Sequence, residues 1–145
     1  MNEQLHIESQ LCFRIYKLNK SITKLYAPLL KDAGLTYPQY LVMLVLWQDE
    51  KNKTIKEIGE ILELDSGTLS PLLKRMEKLD LLKRIRSLKD ERSVSIELTA
   101  HGKEIKTKAK FIPAKLLMLT GLSKVELLAL QKDLDNLLAN TQQHL

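Results

Sequence analysis

A mainly helical fold carrying one small β-hairpin is predicted by three features of this 145-residue chain. Apolar residues recur at helical spacing along most of its length. Short polar caps divide that pattern, notably Thr54-Ile-Lys-Glu57 and Ser123-Lys-Val-Glu126. Near residue 94 the period falls to two: Val94, Ile96 and Leu98 alternate with Ser93, Ser95 and Glu97, the spacing of a half-buried strand.

The first helix is predicted from about Glu3 to Lys31, with Leu11, Ile15, Ile22, Leu25 and Leu29 on its apolar face. Pro28 is placed to bend it and Gly34 to stop it. Thr36 caps a second helix with Pro38 in its first turn, where a missing N–H costs little. That helix is apolar almost all round to Trp47 and is expected to be buried. The Thr54 cap opens a short third helix with Ile55, Ile58, Ile61 and Leu62. After the polar segment Leu64-Asp-Ser-Gly-Thr68 comes a fourth, with Leu69, Leu72, Leu73, Met76 and Leu79 in one stripe. The charged bend Lys89-Asp-Glu-Arg92 precedes the strand. Thr99 caps a fifth helix, Ala100 to Lys110, which Pro113 interrupts, and Ser123 opens a last one reaching about Gln142.

Helix, turn, helix and charged hairpin over residues 54–99 read as a winged helix-turn-helix, a module whose second helix enters the major groove of double-stranded DNA. Charge agrees. The chain has a formal net charge of +5, and residues 66–92 hold eight Lys or Arg against four Asp or Glu. On the second helix of the module, Gly67, Pro71, Lys74 and Lys78 lie opposite the leucine stripe, flanked by Ser66, Thr68, Ser70 and Arg75. Small residues at its start allow close approach to base edges, and the helix N-terminus favours phosphate. Pro71 implies that the helix starts after Ser66 or bends. In the hairpin, Arg84, Arg86, Lys89 and Arg92 are the basic candidates. Arg92 suits the narrow minor groove, with Asp90 expected to brace its guanidinium.

The whole chain reads as a single domain, residues 1–145. Residues 1–35 and 100–145 carry more apolar surface than the module can cover. Leu127, Leu130, Leu134 and Leu137 follow the 3-4-3 spacing of helix-on-helix packing. They are expected to form a two-fold homodimer, which suits a palindromic DNA site. The longest apolar run, Leu41 to Trp47, is seven residues, too short for a bilayer, and no export signal is read at the start. His6, His101 and His144 are scattered, so no metal site, catalytic centre or cofactor is expected. A single cysteine cannot form an internal disulfide, and a cytoplasmic setting is expected.

The run Asp65-Ser-Gly-Thr-Leu-Ser-Pro-Leu-Leu-Lys-Arg-Met-Glu77, followed by Asp90-Glu-Arg-Ser-Val-Ser-Ile-Glu-Leu-Thr99, resembles the MarR family of transcription regulators. The resemblance extends from about Gln10 to the last helix. It implies a helical dimer with two winged modules, usually repressing nearby genes.

Cys12 is open to two readings on the residues alone: a small buried apolar residue, or a reactive thiol. Placed mid-helix, it gets nothing from a helix N-terminus. Glu8, four residues before it, disfavours a thiolate, and Tyr16, four after, is the local hydroxyl donor. The arrangement Leu11-Cys-Phe, Tyr16, Tyr26 and Thr36-Tyr37-Pro-Gln is similar to the OhrR-like, organic-hydroperoxide-sensing branch of the same family. That resemblance implies a redox-sensing Cys12 held by tyrosines reaching across the dimer, oxidised by an organic hydroperoxide or other oxidant and then capped by a small thiol. This chain lacks the second cysteine of two-cysteine members. The competing expectations are a regulator binding a small aromatic ligand with Cys12 structural, and a thiol peroxidase.

Overall fold

The computed structural model describes residues 3–49, 51–90 and 92–145. It falls into two compact units, Met1–Lys110 and Phe111–Leu145. Among the described residues no helix is long and apolar enough to cross a membrane.

In the first unit, two short 3₁₀ turns, Glu3–Leu5 and Ile7–Ser9, precede helix α1 (Leu11–Leu30). The expected helical start at Glu3 is therefore corrected by eight residues. Gln10 is extended at the N-cap, and its amide donates back to the carbonyls of Gln4 and His6, so the helical backbone begins only at Leu11. Pro28 is accommodated inside α1, and Gly34, at φ 66°, ends the chain reversal after it. Helix α2 (Tyr37–Gln48) begins in a capping box between Thr36 and Gln39 and is buried along most of its length, as its composition required.

Next come strand β1 (Lys53–Thr54), helix α3 (Ile55–Leu62) and helix α4 (Ser66–Lys78). Strands β2 (Leu82–Arg86) and β3 (Val94–Leu98) form the hairpin, and helix α5 (Ala100–Ala109) closes the unit. The antiparallel sheet runs β1-β3-β2, with Leu82 opposite Leu98, Arg84 opposite Ile96, and Lys53 also opposite Ile96. Ile96 thus sits on the central strand and is fully buried, as are Ile58, Leu69, Leu73, Met76 and Leu82. Leu79, expected in that stripe, is 49% exposed because α4 ends at Lys78 and Asp80 turns the chain at φ 56°.

The core is tied at two polar points. The Trp47 indole N–H donates to the Gly102 carbonyl at 3.0 Å, and the Lys106 ammonium donates to the Trp47 carbonyl at 2.9 Å. A Cβ on Gly102 would lie 2.0 Å from the Leu81 carbonyl oxygen, so only glycine lets α5 approach the start of β2 this closely. Thr99 accepts the Gly102 N–H and donates to the Asp80 carbonyl.

In the second unit Pro113 opens a helix where an interruption was expected: α6 runs Ile112–Thr120 with the proline in its first turn. Helix α7 (Lys124–Gln142) starts in the Ser123–Glu126 capping box. It has no buried residue. Leu130 and Leu134, the middle of the expected seam, are 39% and 38% exposed.

Candidate nucleic-acid interface and thiol site

Helix α4 starts at Ser66 and continues through Pro71, so the later start that this proline allowed does not hold. Pro71 has no N–H to give the carbonyl of Gly67, but Gly67 is exposed and water can take its place. The N-terminus of α4 is already capped: the Asp65 carboxylate accepts the Thr68 N–H at 2.8 Å and the Thr68 hydroxyl at 3.3 Å. A carboxylate occupies the spot expected to favour phosphate. The outward face is as the sequence implies. Ser66, Gly67, Thr68, Pro71, Lys74 and Arg75 are exposed and Ser70 half-buried, while Leu69, Leu72, Leu73 and Met76 are buried behind them.

Arg84 is held within the chain. Its guanidinium binds the Glu77 carboxylate at 2.8 Å and its backbone N–H donates to the same group at 3.2 Å. The side-chain bond to Arg84, then the backbone one, hold the Glu77 carboxyl below the usual range. Arg84 therefore fastens β2 to α4. Arg86, Lys89 and Arg92 remain exposed. Asp90 does not brace the Arg92 guanidinium; its carboxylate accepts the Arg92 backbone N–H at 3.0 Å. The motif shapes the turn and leaves the arginine head free of that carboxylate. The start of α4 and the hairpin tip share one open groove of about 980 Å³, lined in part by Ser66, Ser70, Asp90 and Arg92.

Cys12 is exposed and lies at the second position of α1, not mid-helix. Two expectations change with it. Glu8 sits in a 3₁₀ turn outside the helix, so it is not one α-turn below the sulfur. The first turn of a helix favours negative charge, and no side chain caps this one. Helix α1 also carries Arg14, Lys17, Lys20 and Lys24 and no acidic residue, a concentration of positive charge that the reading of residues 66–92 overlooked. Lys17 lies over the Phe13 ring at 5.4 Å and Lys20 over the Tyr16 ring at 5.1 Å, with the Lys20 ammonium donating to the Tyr16 hydroxyl at 3.5 Å.

Tyr26 and Tyr37 do meet, their ring centroids 4.8 Å apart, and Tyr40, which the sequence reading missed in its apolar helix, joins them at 5.5 Å from Tyr26. Burial, then the neighbouring Tyr40 and Tyr37, push the Tyr26 phenol up to about 12. Cys12 and Tyr26 are fourteen residues apart on one helix, about 21 Å along its axis. No tyrosine of this cluster can touch the sulfur of its own chain.

Residues 24–109 match the family model of the transcriptional regulator SarA/Rot. The chain is 47% identical over 141 residues to the organic hydroperoxide resistance transcriptional regulator of Bacillus subtilis (strain 168), covering 97% of this chain and 95% of that one. It is similar to reduced AbfR bound to DNA, with TM-score 0.80 and 33% identity over 99% of this chain and 96% of that one. AbfR is a protein of Staphylococcus epidermidis. Disulfide-formed AbfR is also similar, with TM-score 0.65 and 34% identity over 98% of this chain and 93% of that one.

Proposed function

The chain belongs to the MarR family of transcription regulators, in its OhrR-like branch, and we propose that Cys12 is the sulfur through which it senses peroxide. The protein is a redox-sensing, DNA-binding regulator and not an enzyme. In this reading residues 54–99 form the DNA-reading module, and residues 1–35 and 100–145 pair two chains. The dimer represses from a pseudo-palindromic operator in the cytoplasm. Ser66, Gly67, Thr68, Ser70, Pro71, Lys74 and Arg75 face the major groove and its phosphates. Arg86, Lys89 and Arg92 face the minor groove and its edges, and Arg84 and Asp90 hold the wing in shape.

The observation that carries the proposal is the separation within α1. An exposed cysteine stands in the first turn, Tyr16 one turn on, and a Tyr26–Tyr37 pair about 21 Å away. Only a second chain can bring that pair to the sulfur, so the site is completed by dimerisation. The Cys12 thiolate attacks the distal oxygen of an organic hydroperoxide. The O–O bond breaks, the hydroxyl passes to sulfur as sulfenic acid, and the alkoxide leaves as the alcohol by taking up from water a proton equivalent to the one the thiol gave up on ionising. A small thiol then displaces water to give a mixed disulfide. The added group separates the phenols from the sulfur and shifts the two reading helices off register.

The test is a DNA-shift titration on the tightest duplex that the wild-type protein selects from a randomised pool, with and without cumene hydroperoxide. Intact mass reports the sulfur. Cys12→Ser is expected to bind like wild type and to stay bound in peroxide. Release of the serine variant by peroxide would sink the assignment.

A further inference from the structure

We infer that Leu88 is a DNA contact: it enters the minor groove beside Arg92 as an apolar point at the tip of the wing. The inference rests on the wing reading above. Leu88 is 104% exposed, among the most exposed large apolar side chains of the described residues. The tip that carries it is held by other groups. The Ser87 N–H donates to the Ser93 carbonyl at 3.0 Å, and the Ser87 hydroxyl accepts the N–H groups of Lys89 and Asp90 at 3.2 and 3.3 Å. The Ser93 N–H donates to the Asp90 carbonyl at 3.0 Å, and Asp90 accepts the Arg92 N–H. Nothing in this network uses the leucine side chain.

A lone exposed leucine is ordinary on most surfaces. This one stands where turn chemistry selects Gly, Pro, Asn, Asp or Ser, and where a leucine adds nothing to the turn. It is flanked by Arg86, Lys89 and Arg92, all exposed. Those cations draw the tip to the DNA, and the same approach takes the isobutyl group out of water. A minor groove about 6 Å wide leaves it against sugar edges and base steps, the setting in which apolar side chains act as wedges. Such a contact releases no counterions. It contributes affinity that salt does not remove, and it favours a deformable pyrimidine–purine step under the tip.

The two kinds of contact separate experimentally. Affinity for the selected duplex is measured by fluorescence anisotropy across about 50–200 mM salt for wild type, Leu88→Ala, Leu88→Met and Arg92→Ala. Full exposure means that the leucine substitutions leave folding untouched. Leu88→Ala is expected to lose about tenfold in affinity with an unchanged log–log salt slope, and Leu88→Met to recover most of it. Arg92→Ala is expected to weaken binding and to flatten the slope by about 0.9 for each phosphate that the arginine neutralises in the wild-type complex. Wild-type affinity in Leu88→Ala beside a weakened Arg92→Ala overturns the inference and leaves the wing standing. A flattened slope in Leu88→Ala overturns it too, since the leucine then acts through the placement of charge. Full affinity in both variants overturns the wing reading with it.

Discussion

The reading module and the last helix treat their leucines in opposite ways. In α4, Leu69, Leu72, Leu73 and Met76 are all 5% exposed or less within one chain. In α7, Leu127, Leu130, Leu134 and Leu137 keep an equally regular helical spacing, yet none is buried: Leu130 and Leu134 are 39% and 38% exposed and Leu127 and Leu137 half-buried. Periodicity reports that a face wants burial; it does not say whether the same molecule supplies the cover. The module is finished by its own chain; the last helix is not, and the proposed pairing assigns its cover to a copy.

The largest expected effect tests that asymmetry directly. Leu130→Glu with Leu134→Glu should abolish the dimer by sedimentation velocity and lower DNA affinity about 10²- to 10⁴-fold, the avidity of two linked heads. The far-ultraviolet spectrum of the monomer should remain helical. A dimer of undiminished affinity would show that α7 is not the pairing surface.

Within the module, Gly102→Ala forces a methyl group onto the Leu81 carbonyl, 2.0 Å from its Cβ. Urea unfolding is expected to show a loss of about 3 kcal/mol, the upper end of ordinary overpacking. A smaller change, on the same assay, is expected from Glu77→Gln: about 0.5 kcal/mol, because both partners of the Arg84 bond are about one-third exposed and water screens them. Its pH dependence has a definite sign. Glu77 is held below its ordinary value when folded, so its contribution is complete above the unfolded glutamate range. It fades as pH falls through the folded value, and the difference between variant and wild type should vanish in acid. At neutral pH the smallest effect belongs to Tyr26→Phe. With the Tyr26 phenol pushed up to about 12, the native protein should lose stability from about pH 10 upward, where the unfolded phenol ionises first. The phenylalanine variant should lack that share of the alkaline loss; Tyr40, also pushed up by burial, retains its own.

Caps and turns were the most legible part of the sequence. Thr36, Thr54, Thr99 and Ser123 all cap helices, because a hydroxyl that accepts an N–H three residues on is a local matter. Pro113 shows the ambiguity of a local signal: the residue that ends one helix is equally suited to the first turn of another. The start of α1 is hard to read because no capping side chain marks it: Gln10 is extended and its amide folds back on the carbonyls of Gln4 and His6. Correcting that start moves Cys12 from the middle of a helix to its first turn. Arg84 was counted with the free cations because its partner Glu77 lies seven residues back, across the turn from helix to strand. Strand β1, two residues long, carries no periodicity at all. The outward face of α4 and the exposed Arg92 needed only the helical period and a turn.

The double attachment of Arg84 to Glu77 bears on how a signal at the far end of α1 is delivered. With helix and hairpin joined through this pair as well as through the shared core, the two are expected to move together. A small tilt lifts both grips at once. Detachment should be abrupt, and partial oxidation of a population should yield a mixture of seated and departed dimers instead of a uniformly loosened one.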